Sequence, residues 1–132
     1  LIPILCVGET ITQRESGDTE LILKEQIEKG LDSISDITNC IIAYLPVWAI
    51  GRGVTAPTVH VEIAHQFLRE VFGSKYGNGN QIHILYGGSV NSGNAESLIQ
   101  TEGVDGFLIG GASLDAGSFA SIIKIVEEVQ EI

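Results

Sequence analysis

The chain has 132 residues, 44% of them hydrophobic and 18% charged, and its formal net charge at neutral pH is −10. This composition is typical of a globular domain and excludes a disordered or fibrous chain. Seven scattered lysines and arginines offer no basic surface for nucleic acid, and no apolar run is long enough to cross a membrane.

The cysteines and the first residues indicate what kind of chain this is. Cys6 and Cys40 have neither metal-binding nor redox spacing, so we expect reduced thiols and a cytoplasmic protein with no metal and no cofactor. The chain contains no methionine, and Leu1 stands just before the first apolar run. We therefore expect a natural fragment, a processed product or an engineered chain, in which residues 1–132 form one domain.

Four short apolar runs alternate with four helical patterns along the chain. The runs cover residues 2–7, 40–48, 82–86 and 106–109. They lack the alternation of polar and apolar residues that marks a sheet with one face in water. Nearly continuous apolar runs are typical of parallel strands that are buried on both faces, so the runs predict four parallel strands.

The segments between the runs predict helices over residues 19–34, 58–76, 94–100 and 118–130. In the first of them, Ile22, Leu23 and Ile27 recur at helical spacing. Pro57 suits the start of the second helix, because a proline there loses no hydrogen bond. Ser118 is expected to cap the fourth.

The order of elements, β-α-β-α-β-α-β-α, predicts the fold class. Strands that alternate with helices imply parallel βαβ units with right-handed crossovers. Four such units are half of a (β/α)8 barrel, whose chains have about 250 residues. We therefore predict an α/β half-barrel with helices on one face of its sheet. Because four strands cannot close the ring, two strand edges and the inward face need a partner.

Glycines follow the last two predicted strands at their C-terminal ends, as Gly87-Gly88-Ser89 and Gly110-Gly111. Glycine lets the backbone approach a ligand closely, and barrel enzymes often bind phosphate after strands seven and eight. The alternative is that these glycines only turn the chain. Two such loops after successive strands favour a phosphate site.

Four segments closely resemble triose-phosphate isomerase, in the order and spacing of strands five to eight of that family's barrel. They are PILCVGE (residues 3–9), AYLPVWAIGRGVTA (residues 43–56), YGGSV (residues 86–90) and DGFLIGGASL (residues 105–114). The resemblance covers almost the whole chain and implies the C-terminal half of the barrel. It also implies the family's activity in glycolysis and gluconeogenesis, the interconversion of dihydroxyacetone phosphate and glyceraldehyde 3-phosphate.

The resemblance makes Leu45 the most informative residue of the chain. In the family, the residue before the Pro46-Val47-Trp48 run is a glutamate that acts as the catalytic base. Leucine cannot accept a proton, so the base is lost at this position. The resemblance also places the family's electrophilic histidine and cationic lysine in the first four βα units, which lie outside these segments. We therefore expect this chain to be inactive on its own.

The resemblance assigns further residues to a mobile lid and its hinge. Pro46, Val47 and Trp48 would form a stiff hinge, with Glu9 accepting a hydrogen bond from the indole N–H of Trp48. Gly51 would lie in the lid and join the phosphate site when the lid closes.

The same resemblance assigns the phosphate site and the contacts that hold the lid closed. The backbone groups expected to bind phosphate are those of Gly51, Ser89, Gly110 and Gly111. Tyr86 and Ser89 would hold the closed lid through hydrogen bonds near Ala56 and Gly53.

Other residues are expected to be structural. His60 and His65 lie five positions apart on a predicted helix and so face different directions, which argues against a metal site. Cys6 is expected to fill space inside the barrel.

Three interpretations remain open. The chain is an inactive half-barrel that folds by assembly, most simply as a homodimer that closes a barrel through residues 2–7 and 106–109. It is otherwise a fragment of an active isomerase, completed by an N-terminal half, or a phosphate-binding barrel module with other chemistry. The ligand is a small phosphorylated substrate, phosphate or sulfate, and its binding is expected to be weak because the net charge is −10.

Overall fold

Four parallel strands form one sheet in a computed structural model that describes residues 1–51, 54–77 and 81–130. In chain order the elements are β1 (Ile4–Val7), α1 (Ile11–Glu15), α2 (Thr19–Gly30), β2 (Ile41–Tyr44), α3 (Thr58–Tyr76), β3 (His83–Tyr86), α4 (Ala95–Ile99), β4 (Gly106–Phe107) and α5 (Ala116–Gln130). Short 3₁₀ turns cover Val47–Ala49 and Gly111–Leu114.

The sheet has the strand order β1-β2-β3-β4, and each neighbouring pair is parallel. The register aligns Val7 with Tyr44, Tyr44 with Tyr86, and Tyr86 with Phe107. Sequential parallel strands joined by helices are the arrangement of successive barrel units. The prediction of an α/β half-barrel with four parallel βα units is confirmed.

The two faces of the sheet differ in exposure. Ile42, Tyr44 and Tyr86 are fully buried in the core. Side chains alternate along a strand, and on the opposite face Ile4 is 43% exposed and Cys6 is exposed as well. The expectation that Cys6 fills an interior space is wrong for this structure, because Cys6 lies on β1, an outer strand of the sheet, and is exposed there.

All four strands are shorter than the apolar runs that predicted them. β1 begins at Ile4 rather than at residue 2, and β3 begins at His83 rather than at residue 82. β2 covers Ile41–Tyr44 rather than residues 40–48, and β4 ends at Phe107 rather than at residue 109. Pro46 has no N–H for a strand ladder, and the chain turns directly after it, with the N–H of Ala49 donating to the Pro46 carbonyl at 2.9 Å. An apolar run alone does not show where such a turn begins.

Helix ends follow local capping chemistry. α3 covers the predicted residues and is capped by Gly77, whose φ of 75° suits glycine. α2 ends at Gly30 rather than at residue 34, since glycine is a poor helix former. α5 begins two residues before the predicted start, because Asp115 caps it. Its Oδ2 accepts the N–H and the hydroxyl of Ser118, both at 2.8 Å.

None of the five residues of helix α1 is buried. The helix therefore has no apolar stripe by which the sequence could predict it. Its start is a capping box. The Thr10 hydroxyl accepts the N–H of Gln13 at 3.2 Å, and the Gln13 side chain accepts the N–H of Thr10 at 2.9 Å. This turn places Arg14 beside Glu9.

His65 on α3 is a fully buried histidine in the core. Its Nδ1 lies 3.0 Å from the carbonyl of Gly103, so Nδ1 carries the proton. Nε2 has no hydrogen-bond partner in the described part of the chain, and the ring packs edge-on against Tyr44 at 5.7 Å between centroids. Burial lowers the pKa of His65 to about 4.

We expect this histidine to make the fold sensitive to acid. The unfolded chain binds a proton at His65 with a pKa of about 6.5, whereas the folded chain resists protonation until about pH 4. Stability is therefore complete above about pH 6.5 and falls toward pH 4, by at most about 3 kcal/mol from this residue. Urea unfolding at several pH values checks this. His65→Gln should flatten the slope, while His83→Gln, at an exposed position, should leave it unchanged.

Candidate functional site

The C-terminal ends of the four strands carry the candidate site, because parallel strands bring these ends to one edge of a sheet. Four loops leave this edge: the β1–α1 loop (residues 8–10), the β2–α3 loop (described residues 45–51 and 54–57), the β3–α4 loop (residues 87–94) and the β4–α5 loop (residues 108–115). The predicted site residues that the structure describes lie in these loops, apart from Tyr86 at the end of β3.

Leu45 is the first residue after β2 and is half-buried at this edge. Its N–H donates to the carbonyl of Val7 at 2.7 Å. Its side chain packs against Gly87, where an added Cβ would lie only 2.6 Å from Leu45 Cγ. The position at which the resemblance puts a base therefore holds an apolar side chain in close contact with the next loop.

Glu9 is a fully buried carboxylate beside the predicted hinge, Pro46-Val47-Trp48. It accepts hydrogen bonds from the Tyr44 hydroxyl at 2.8 Å, from the Trp48 indole at 3.1 Å and from Arg14 at 3.3 Å. The Trp48 contact is the one that the resemblance implies. Burial, reinforced by the negative charge of Glu9, raises the pKa of Tyr44, so its hydroxyl remains a donor.

The backbone of the predicted hinge bonds to the main chain of Glu9 as well. The N–H of Val47 donates to the Glu9 carbonyl at 3.0 Å, and Pro46 before it is buried. The Arg14 guanidinium lies 5.1 Å from the centre of the Trp48 ring, in the range of cation–π attraction. Arg14 has no periodic signal in the sequence. The capping box at Thr10 was the feature that could have located it.

Some of the predicted lid residues are described by the structure and one is not. Gly51 is exposed and has a φ of 68°, whereas Gly53 lies outside the described residues. Ala56 is buried. Its backbone is close enough to the Tyr86 hydroxyl to lower the pKa of that phenol, although burial has the larger effect and raises it. The Tyr86 hydroxyl makes no hydrogen bond of good geometry within the described segments.

Ser89 is already engaged on the β2–α3 loop. Its N–H donates to the carbonyl of Ala49 at 2.9 Å, and its hydroxyl donates to the same oxygen at 2.8 Å. The resemblance implies a Ser89 N–H that is free to bind phosphate. In this structure that donor must first leave Ala49.

Gly110 and Gly111 are open to ligand. Both are exposed, and a Cβ added at either one would meet nothing within 4 Å. Neither backbone N–H donates to another group in residues 1–51, 54–77 or 81–130. These two donors are therefore available to an anion without any rearrangement.

No group of three or more His, Cys, Asp or Glu side chains in the described parts of the chain is arranged to hold a metal ion. Within the same residues, no helix has the length and apolar character needed to cross a membrane.

A sheet of sequential parallel βα units, with glycine-rich loops at the ends of its last two strands, places the chain in the (β/α)-barrel class. The family model described as triosephosphate isomerase matches residues 1–126. The triosephosphate isomerase of Rhodopirellula baltica is 48% identical over 128 residues, which cover 94% of this chain and 50% of that protein. The enzyme of Pelodictyon phaeoclathratiforme is 49% identical over 123 residues, 92% of this chain and 49% of that one. The chain belongs to the triosephosphate isomerase family.

The chain spans about half the length of the curated relatives that it matches. The enzyme of Chlamydia abortus follows the same pattern, with 47% identity over 93% of this chain and 49% of its own length.

Proposed function

We propose that this chain is the C-terminal half of a triosephosphate isomerase barrel, that it carries the hinge and phosphate-binding loops, and that it folds by assembly with further strands but lacks isomerase activity. The observation that carries the proposal is Leu45, a half-buried leucine at the strand end where the resemblance puts the catalytic base. A proton transfer between adjacent carbons needs a base at this place, and leucine supplies none.

The carboxylate on the adjoining loop does not replace the missing base. Glu9 is fully buried and accepts hydrogen bonds from three side chains. Moving it toward a substrate would leave the buried Tyr44 hydroxyl without an acceptor, at a cost of about 1–3 kcal/mol, and would also break the hydrogen bond from the half-buried Trp48. Glu9 therefore holds the hinge.

Exposed apolar residues at both ends of the sheet support assembly. Beyond β4, Leu114 is 90% exposed and Ile123 is 51% exposed, and on β1 Ile4 is 43% exposed. β1 and β4 are the outer strands of the sheet, so each presents backbone groups that can pair with another strand. A second copy of the chain would close a barrel as a homodimer, and an N-terminal half would close it as a heterodimer.

The intact hinge favours a second candidate, an isomerase that becomes active once completed. The hydrogen bond from Trp48 to Glu9, which the resemblance implies for the hinge, is present at 3.1 Å, and Ser89 joins the neighbouring loop through Ala49. In this alternative the completed barrel acts on dihydroxyacetone phosphate and glyceraldehyde 3-phosphate. The side chain at position 45 decides between the two candidates.

One experiment tests both candidates. We expect no turnover of glyceraldehyde 3-phosphate by the purified chain, and none by Leu45→Glu alone, because one carboxylate does not supply the electrophile and the cation that the reaction also needs. With an added N-terminal half, Leu45→Glu should be active while the unaltered chain and Leu45→Gln stay inactive. Light scattering on the same samples reports which assembly forms. Turnover by the unaltered chain, free of host enzyme, would refute the inactive half-barrel.

Phosphate binding is expected to be weak, with a dissociation constant of about 1 mM, or about −4 kcal/mol. In an NMR titration with phosphate, Gly110 and Gly111 should shift first, because their N–H groups are unengaged. Ser89 should shift with them as its bond to Ala49 opens. Shifts centred on the helices would contradict the site.

We also propose a cytoplasmic location. In support, Cys6 and Cys40 are both free thiols, as is usual for proteins of a reducing compartment.

A further inference from the structure

The side chain of Asn94 joins two of the loops at the candidate site. Its Nδ2 donates to the Thr55 hydroxyl at 2.9 Å, on the β2–α3 loop, and to the Ser89 carbonyl at 3.0 Å, on the β3–α4 loop. Its Oδ1 accepts the backbone N–H of Asn91 at 2.8 Å. One amide therefore uses both of its donor hydrogens and its acceptor oxygen on three different partners.

The partners fix which way the amide faces. The Ser89 carbonyl can only accept, so it requires the NH₂ group, and the Asn91 N–H can only donate, so it requires the oxygen. An aspartate at this position would keep the bond to Asn91 but would set a carboxylate oxygen against the Ser89 carbonyl. The site thus demands an asparagine rather than any polar residue of that size.

Asn94 acts on the same peptide segment that carries the candidate phosphate donor. The N–H and the hydroxyl of Ser89 both bond to Ala49, on the N-terminal side of the β2–α3 loop, and Asn94 bonds to Thr55 on its C-terminal side. The β3–α4 loop is therefore hydrogen-bonded to the β2–α3 loop near both of its ends, through Ser89 at one end and through Asn94 at the other.

We propose that Asn94 is a positioning residue, which sets the orientation of the Ser89 backbone and ties it to the Thr55 end of the β2–α3 loop. This inference deepens the proposed function, since it names the residue that holds a phosphate donor in place. Only the identity of the ligand, phosphate, depends on the proposed function. The positioning itself is measurable in the chain without phosphate.

The test compares Asn94→Asp with Asn91→Asp. Both changes add one negative charge to the same loop. Among the described residues, however, the Asn91 side chain acts only as an acceptor, through Oδ1, for the N–H groups of Gly93 and Asn94, and an aspartate retains that role. Hydrogen exchange of the Ser89 amide, followed by NMR, should be about tenfold faster in Asn94→Asp than in Asn91→Asp, because the repelled carbonyl weakens the bond to Ala49. Phosphate affinity should fall about fivefold in the same comparison.

A second pair of variants reports on the other end of the contact. Thr55→Val removes the acceptor and should move one of the two Asn94 side-chain N–H resonances, whereas Thr55→Ser keeps the hydroxyl and should leave both in place. Equal Ser89 exchange in Asn94→Asp and Asn91→Asp, or unmoved Asn94 resonances in Thr55→Val, would overturn the inference. Failure of the unaltered chain to bind phosphate would refute the proposed phosphate site instead, and the exchange comparison would still decide the role of Asn94.

Discussion

Replacing Gly8 by alanine is expected to prevent folding. A Cβ at Gly8 would lie 1.6 Å from the carbonyl oxygen of Leu45. That oxygen cannot move aside, because the neighbouring backbone is held by the bond from Leu45 N–H to Val7 at 2.7 Å and by the bond from Val47 N–H to Glu9 at 3.0 Å. A clash with fixed backbone should cost about 4 kcal/mol or more. Circular dichroism and urea unfolding of Gly8→Ala would measure the loss.

A matched glycine gives the control for this prediction. Gly17 has a φ of 78°, and an added Cβ would meet nothing within 4 Å. Gly17→Ala should therefore cost only about 1 kcal/mol, from its left-handed backbone. If the two variants lose equal stability, the close contact between the β1–α1 and β2–α3 loops is not what makes Gly8 necessary.

Replacing Glu9 by leucine is expected to lower the free energy of unfolding by about 3–5 kcal/mol. The change removes the acceptor of Tyr44, Trp48 and Arg14 together and leaves the guanidinium beside an apolar side chain. Trp48 is the single tryptophan of the chain, so its fluorescence reports both on unfolding in urea and on the state of the hinge. The protein concentration must be held constant, because assembly adds to apparent stability.

Glu9→Gln separates hydrogen bonding from charge. The amide keeps an oxygen for Tyr44 or Trp48 but loses the attraction for Arg14, so its loss should lie well below that of leucine. Glu20→Leu, at an exposed position on α2, should change stability by less than about 0.5 kcal/mol. A small effect of Glu9→Leu with an unchanged emission spectrum would show that the buried carboxylate does not hold the hinge.

Local sequence predicts those elements that have a strong apolar periodicity and clear starting and ending residues. The bounds of α3 agree with the prediction to the residue, because its apolar stripe lies between Pro57 and Gly77. The short helix α1 escapes prediction, since its only signal is a capping box. The exposure of Cys6 escapes it for a different reason. A continuous apolar run indicates a strand built for two covered faces, and it does not tell whether both are covered.

The sequence predicts which loops carry the candidate site, but it does not predict the hydrogen bonds between those loops. The loops that carry Leu45, Ser89 and Gly110 are located by resemblance. The attachment of the Ser89 N–H to Ala49, and the contacts of Arg14 and Asn94, depend on which loops meet in space. No pattern of neighbouring residues encodes such contacts, because they arise only when distant parts of the chain have folded together.

The alkylation rate of the exposed Cys6 thiol can report whether the barrel has closed. On the open face of β1 the thiol meets solvent, whereas any strands that complete the ring would enclose it. Alkylation of Cys6 should therefore proceed in proportion to the fraction of chains that are not assembled. Cys40 supplies an internal reference, since it is half-buried and burial raises the pKa of its thiol, which keeps it slow to react. The ratio of the two labelling rates would follow association at concentrations far below those that light scattering requires.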